Sequence, residues 1–278
     1  MRSTQDSNGY WTHVFHQSDL NEARMCPEKL RTRPPLSEGS DATLIGTATH
    51  LSIEEYLKAD GNKTEAELVD IAVQYVQEHW HEIRMLQVEN VHQAVFIVRK
   101  TVATFWSKRH HFPLGGDIEK PFRFVAYEDQ FRTIMFQGTP DYHTPGMLWD
   151  WKTSAESYKE NHWKMQRYSL QPTIYAMAIR EATGEIPEFT YVRFPKSGDP
   201  MEMATVTRDQ GDFDGVVTQA LSLAFLIEAE LPRWPMRPTD WHCSPKWCET
   251  FAAGKCMGEH HANRKYSIDW MRKGETDE

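Results

Sequence analysis

The sequence predicts a mixed α/β or α+β domain wrapped by helices, and three observations carry that expectation. Apolar residues recur at helical spacing from position 41 to about 110. Short β-rich runs follow between Phe122 and Thr153. Helical and strand patterns then alternate as far as Leu231.

Taken in order, residues 1–17 are polar and without periodicity, and read as a loose end. Ser18 caps a short helix ending near Met25, and Pro34-Pro35 with Ser37, Gly39 and Ser40 reads as a loop. Leu44, Ala48, Leu51 and Tyr56 place a helix over 41–59. Thr64 with Glu67 forms a capping box for a second helix reaching about Leu86, and a third runs over 88–110. Segments 122–127, 131–141 and 147–153 read as three consecutive strands, with tight turns at Glu128-Asp129 and Pro145-Gly146. A helix through Tyr175 is stopped by Gly184. Strands at 189–194 and 201–207 and a long helix over 210–231 complete the pattern. The expected organisation is an N-terminal segment, 1–40, containing Cys26; a central sheet flanked by helices, 41–235; and a Cys-rich C-terminal tail, 236–278, packing with the N-terminal segment.

The chain has 278 residues, with 31 Lys and Arg against 40 Asp and Glu, a net charge of -9. That is the wrong overall sign for a protein that simply coats nucleic acid, so any phosphate binding must be local. Carboxylates that gather cations remain compatible with it, because bound metals reverse the local field. Arg2, Asp6, Asp19 and Glu22 interrupt the start of the chain, and the longest apolar stretch, 220–227, is too short to span a bilayer. A soluble cytoplasmic protein of a bacterial or phage-infected cell, with no membrane partner, is the expectation.

With Pro145-Gly146 as a hairpin tip, paired positions sum to 291 and Asp141 faces Asp150. Lys152 then projects beside Asp150, while Trp149 and Trp151 point the other way. Pro-Gly is not a favoured primed turn, so a bulge or one-residue shift is the alternative. Two facing carboxylates are unfavourable unless compensated, and a hard divalent cation with oxygen ligands is the usual compensation. The bland alternative is a solvated strand face with a surface ion pair worth ~0 to 1 kcal/mol.

Gly138-Thr139-Pro140-Asp141, Asp150-Trp151-Lys152-Thr153 and Gln171-Pro172-Thr173-Ile174-Tyr175, preceded by Gly46-Thr47-Ala48-Thr49-His50, together resemble the PD-(D/E)xK nuclease superfamily in its RecB-like branch. The resemblance implies the superfamily's restriction-endonuclease-like core. It also implies His50, Asp141, Asp150 and the Trp151 carbonyl as ligands for magnesium or manganese, with Lys152 as the catalytic lysine, positioning or deprotonating the attacking water. Gln171 and Tyr175 would lie on a helix that supports Lys152 and touches substrate. Extending their stripe backwards adds Tyr168 and Lys164. Pro172 should begin or kink that helix.

Cys26 with Cys243, Cys248 and Cys256, one early and three late, resembles the iron-sulfur nucleases of this superfamily, the CRISPR adaptation nuclease and the AddB subunit. The resemblance implies a 4Fe-4S cluster. The late cysteines are spaced more widely than in that pattern, and zinc, with His242 or His260 replacing a thiolate, is the alternative. Buried thiols without a metal are the bland reading.

For DNA, Lys108 and Arg109 near the end of the third helix and Lys164, Arg167 and Tyr168 ahead of Gln171 are the candidate contacts. Solvated helix faces are the plain alternative. Trp106 and Phe105 beside the basic run would stack on bases or belong to the core. The expectation is a metal-dependent exonuclease acting on DNA with free ends in recombination, phage replication or spacer acquisition, with a recombination or replication protein as a candidate partner. A structure-specific endonuclease, or a non-catalytic scaffold subunit of a recombination complex, is the alternative.

Overall fold

The computed structural model describes residues 1–32, 39–85, 88–154, 169–236, 243–244 and 248–256, side chains 84, 85 and 249 excepted. The chain divides into two compact units, Met1–Ser18 with Ser37–Ser222, and Asp19–Leu36 with Leu223–Glu278.

In the first unit the N-terminal residues are not a loose end. Strands β1 (Arg2–Gln5) and β2 (Trp11–Phe15) form an antiparallel hairpin, and β2 runs parallel to β7 (Arg132–Gly138). The missed signal was Asn8-Gly9. Gly9 takes φ 84, and the Asp6 carboxylate holds the Asn8 and Tyr10 amides at 2.8 and 2.9 Å. Trp11, His13 and Phe15 then stack along one face of β2.

The three predicted N-terminal helices of this unit form. Ser40 caps α3 (Asp41–Lys58), accepting the Thr43 amide at 3.1 Å. Thr64 and Glu67 make the full capping box of α4 (Glu65–His79), which stops in a 3-10 turn well short of Leu86. Asn90 caps α5 (Val91–Lys108). The short strands β3 (Gly39–Ser40) and β4 (Ile83–Met85) pair with each other.

The predicted strand over 131–141 is two strands in two sheets. Strand β7 (Arg132–Gly138) pairs with β6 (Phe122–Glu128) in a four-stranded sheet ordered β1-β2-β7-β6. The ladder breaks at Thr139-Pro140, where proline has no amide to donate. The chain then joins a five-stranded mixed sheet ordered β11-β10-β9-β8-β5, with β5 (Asp117–Ile118), β8 (Tyr142–Thr144), β9 (Met147–Ser154), β10 (Glu188–Pro195) and β11 (Glu202–Val206). The single central sheet of the expectation is therefore two mixed sheets.

Strand β9 runs antiparallel to β8 and parallel to β10. Its Trp149 and Trp151, with Val192 and Phe194 of β10, form one core with Leu44, Ala48, Leu68, Ala72, Val98 and Phe105 of α3, α4 and α5. Helix α6 (Leu170–Thr183) packs toward the other face, Tyr175 against Phe189 at 6.3 Å. Ser169 caps it, Gly184 ends it at φ 82, and Pro172 sits in the first turn, where its missing amide breaks no helical bond. Helix α7 (Gln210–Glu228) follows β11.

The second unit contains α1 (Gln17–Met25, mostly within it), α2 (Pro27–Arg31) and α8 (Glu249–Ala252), and its buried apolar residues include Leu20, Leu30, Trp234 and Phe251. Glu28 is fully buried. Its carboxylate takes two hydrogen bonds from Arg31, at 2.7 and 2.6 Å, and the Trp234 amide at 2.9 Å. Burial opposes its charge, but Arg31, Trp234 and Arg233 together hold it below the usual glutamate range. Among the described residues no helix is long and apolar enough to cross a membrane.

Candidate active site

The hairpin joining β8 and β9 sets the geometry. Tyr142 pairs with Trp149, His143 with Leu148 and Thr144 with Met147, the register that places Asp141 opposite Asp150, with no shift. Gly146 alone takes positive φ, 74°, at the second central position, so the Pro-Gly turn is of type II and still keeps the register. Asp141 lies one residue outside the ladder. Its Oδ2 accepts the Trp151 amide at 2.7 Å, and its carbonyl accepts the Glu119 amide at 3.2 Å. The side chain thus caps the strand that carries Asp150 and Lys152.

Asp150 is 1% exposed. Gln171 Nε2 donates to Oδ1 at 2.6 Å, and Lys152 Nζ lies 2.6 Å from Oδ2. That ion pair is off hydrogen-bond geometry, so Oδ2 is a buried oxygen with no hydrogen bond among the described residues. Burial raises Asp150 and Asp141 to about 6, against the pull of Lys152. Burial works against the charge of Lys152 too, but Asp150 and Asp141 outweigh it and hold the lysine above its ordinary value. The amine is therefore protonated at neutral pH.

His50 Nδ1 is 3.7 Å from Asp141 Oδ2. Burial lowers its pKa even though Asp150 favours the charged form, and the ring also meets the Trp151 carbonyl. A neutral imidazole, two carboxylates and a carbonyl make a donor set suited to a hard divalent cation, with Asp150 Oδ2 engaged among the described residues by the Lys152 ion pair alone. Among the described residues no three His, Cys, Asp or Glu side chains are already drawn together around one point. In this arrangement the Lys152 ammonium balances the acids.

Gly46 lets α3 approach β9: a Cβ there would meet Thr153 Oγ1 at 3.3 Å. Gly138 lets its strand lie close to Phe122 and Tyr175, since a Cβ would meet Phe122 at 2.9 Å and Tyr175 at 3.0 Å. The Tyr175 hydroxyl donates to the Thr139 carbonyl at 3.1 Å, and burial pushes its pKa up to about 12. Tyr175 is thus a buried clamp on the turn into Asp141, and Gln171 holds Asp150.

A cleft of about 700 Å³ opens beside His50 and Lys152. Its lining includes Glu54 and Glu119, which the sequence reading missed. Burial raises the Glu54 pKa and a side-chain hydrogen bond with Glu119 raises it further, against Lys58 at 3.1 Å. Glu54 had a signal, one helical turn beyond His50 on the same face. Glu119 had none, because only the fold brings it to Asp141.

Lys108 and Arg109 end α5, and neither is among the described lining of the cleft. The Arg109 guanidinium lies over Trp106 at 3.7 Å, and Phe105 is fully buried. These aromatics belong to packing. Lys164, Arg167 and Tyr168 lie outside the described residues, as do His242 and His260. All four cysteines fall within the second unit; Cys248 is buried, the others are half-buried, and none is in a disulfide.

The model of the PD-(D/E)XK nuclease superfamily matches residues 17–252, and the chain belongs to that superfamily. A solved structure from Eubacterium rectale, described as a candidate exonuclease, is similar in fold at TM-score 0.50 and 16% identity, covering 81% of this chain and 84% of that one. A second, described as SSO0001, matches at 11% identity over 85% of this chain and 92% of that one, with a TM-score of 0.36 that carries no argument. No curated protein matches the chain.

Proposed function

We propose that the protein is a magnesium- or manganese-dependent deoxyribonuclease of the RecB-like branch, an exonuclease that hydrolyses phosphodiester bonds from DNA ends. The observation that carries the reading is the buried Asp150, with Lys152 at 2.6 Å and Asp141 opposite it across the hairpin. A carboxylate so deeply buried beside a half-buried ammonium costs stability that a surface ion pair does not, which points to function rather than packing. Asp141, Asp150, His50 and the Trp151 carbonyl would hold the cation. Such a cation polarises a phosphoryl oxygen and lowers the pKa of bound water. Lys152 donates to the phosphoryl oxygens and orients the attacking water. Gln171 fixes the Asp150 rotamer, and Tyr175 fixes the backbone before Asp141.

Recombination, phage replication or spacer acquisition supplies free ends of the required kind, in a bacterial or phage-infected cytoplasm. A 4Fe-4S or zinc site on the four cysteines is a companion proposal, supported by their gathering in one compact unit. Iron and zinc content after anaerobic purification tests it.

End-labelled linear DNA and closed circles, incubated in magnesium, manganese or chelator, test the main reading. Degradation of linear DNA alone, abolished by chelator, is expected. Cutting of circles makes the protein an endonuclease, and no metal-dependent cutting of any substrate rejects the reading.

A further inference from the structure

The cleft beside Lys152 has a lining of two kinds. Thr43 and Thr47 of α3, with Lys152 and Thr153 of β9, offer hydroxyls and an ammonium, groups that suit phosphate oxygens. Tyr75 of α4 offers an aromatic ring. The buried stripe of α4 is Leu68, Ala72 and Val76, and Tyr75 stands beside it, half-buried.

The Tyr75 ring is held in place. It stacks on His79, one helical turn further on, at 4.2 Å between centroids and 23° between planes. His79 Nδ1 is fixed in turn at 3.0 Å from the Tyr75 carbonyl oxygen. Among the described residues the Tyr75 hydroxyl has no hydrogen-bond partner, while part of the ring packs against the hydrophobic core.

We propose that Tyr75, backed by His79, is a base-stacking platform and that the cleft takes a single unpaired nucleotide strand, with phosphate toward Lys152 and a base on Tyr75. The proposal rests on the nuclease reading above. Bases inside a duplex have both faces covered by their neighbours, so only an unpaired strand presents a free π-face to a protein ring. A rigid ring costs little conformational entropy to use, and stacking tolerates any base, as an enzyme of low sequence preference requires.

Cleavage kinetics of the full-length wild type, Tyr75→Phe and Tyr75→Leu on single-stranded DNA, duplex DNA and a single strand abasic at its terminal nucleotides test the proposal. Tyr75→Leu is expected to raise KM on the normal single strand about tenfold. Tyr75→Phe should stay within about twofold, since phenylalanine keeps the ring that stacks. On the abasic strand the Leu variant and wild type should be equal. Equal KM on the normal strand, the same defect on the abasic strand, or faster cutting of duplex by the wild type would overturn it. No cutting at all by the wild type counts against the nuclease reading instead. In that event, quenching of a 2-aminopurine single strand on binding decides: quenching lost in Tyr75→Leu upholds the platform, and no quenching by the wild type rejects it.

Discussion

Two neighbouring residues on opposite faces of β9 are equally buried by opposite chemistry. Trp151, 0% exposed, points into the core shared with α3, α4 and α5, whereas Asp150, 1% exposed, points toward Gln171 and Lys152. One face gains from leaving water and the other loses by it. Burial alone therefore does not mark a core. An alternating strand with aromatics on one side and ionised groups on the other has divided stability from chemistry, and the aromatic side offsets the cost of the charged side.

If that division holds, removing the aromatic face should act on folding. Trp151→Ala is expected to lose about 3–5 kcal/mol of stability in denaturant melts, slightly offset because its buried indole nitrogen has no hydrogen-bond partner among the described residues. A loss under about 1 kcal/mol would break the comparison.

Gly138→Ala probes the join between the faces. The added methyl would lie 2.9 Å from Phe122 and 3.0 Å from Tyr175, an overpacking expected to cost about 1–3 kcal/mol. It should also slow cleavage, because Tyr175 clamps the turn into Asp141. Unchanged melting and unchanged cleavage would show that this clamp does not position the site.

The smallest effect expected is on cation binding. Asp141 and Asp150 are raised from 3.8 to about 6, so protons compete with a cation below that pH. Calorimetric affinity for manganese should rise about tenfold or more from pH 5 to 7, with protons released. In the cation-free protein the folded state binds these protons more tightly than the unfolded one. Their stabilising contribution is therefore present below about pH 4 and lost as pH rises through about 6. A pH-independent affinity would remove these acids from the cation site.

Much of this was legible in residues with local causes. The capping box of Thr64 and Glu67, the stop at Gly184 and the hairpin register around Pro145-Gly146 each depend on a few neighbouring side chains. The C-terminal end of α4 depends on tertiary packing, whereas the split of 131–141 between two sheets had a local sign in Pro140, which cannot donate to a ladder. The N-terminal hairpin was legible in Asn8-Gly9 and was obscured by the polar, exposed residues of its edge strand. In the site, the order of the motifs located Asp141, Asp150, Lys152 and Gln171. The carboxylate of Glu119 and the ring of Tyr75 come from remote segments, and only the fold brings them to the cleft.

The most direct test of the central claim is the cleavage rate of Lys152→Ala on end-labelled DNA in magnesium, measured beside its thermal melt. The account predicts a loss on the order of 10³-fold or more with the fold retained. Cleavage within a few-fold of wild type by a folded Lys152→Ala protein would contradict it.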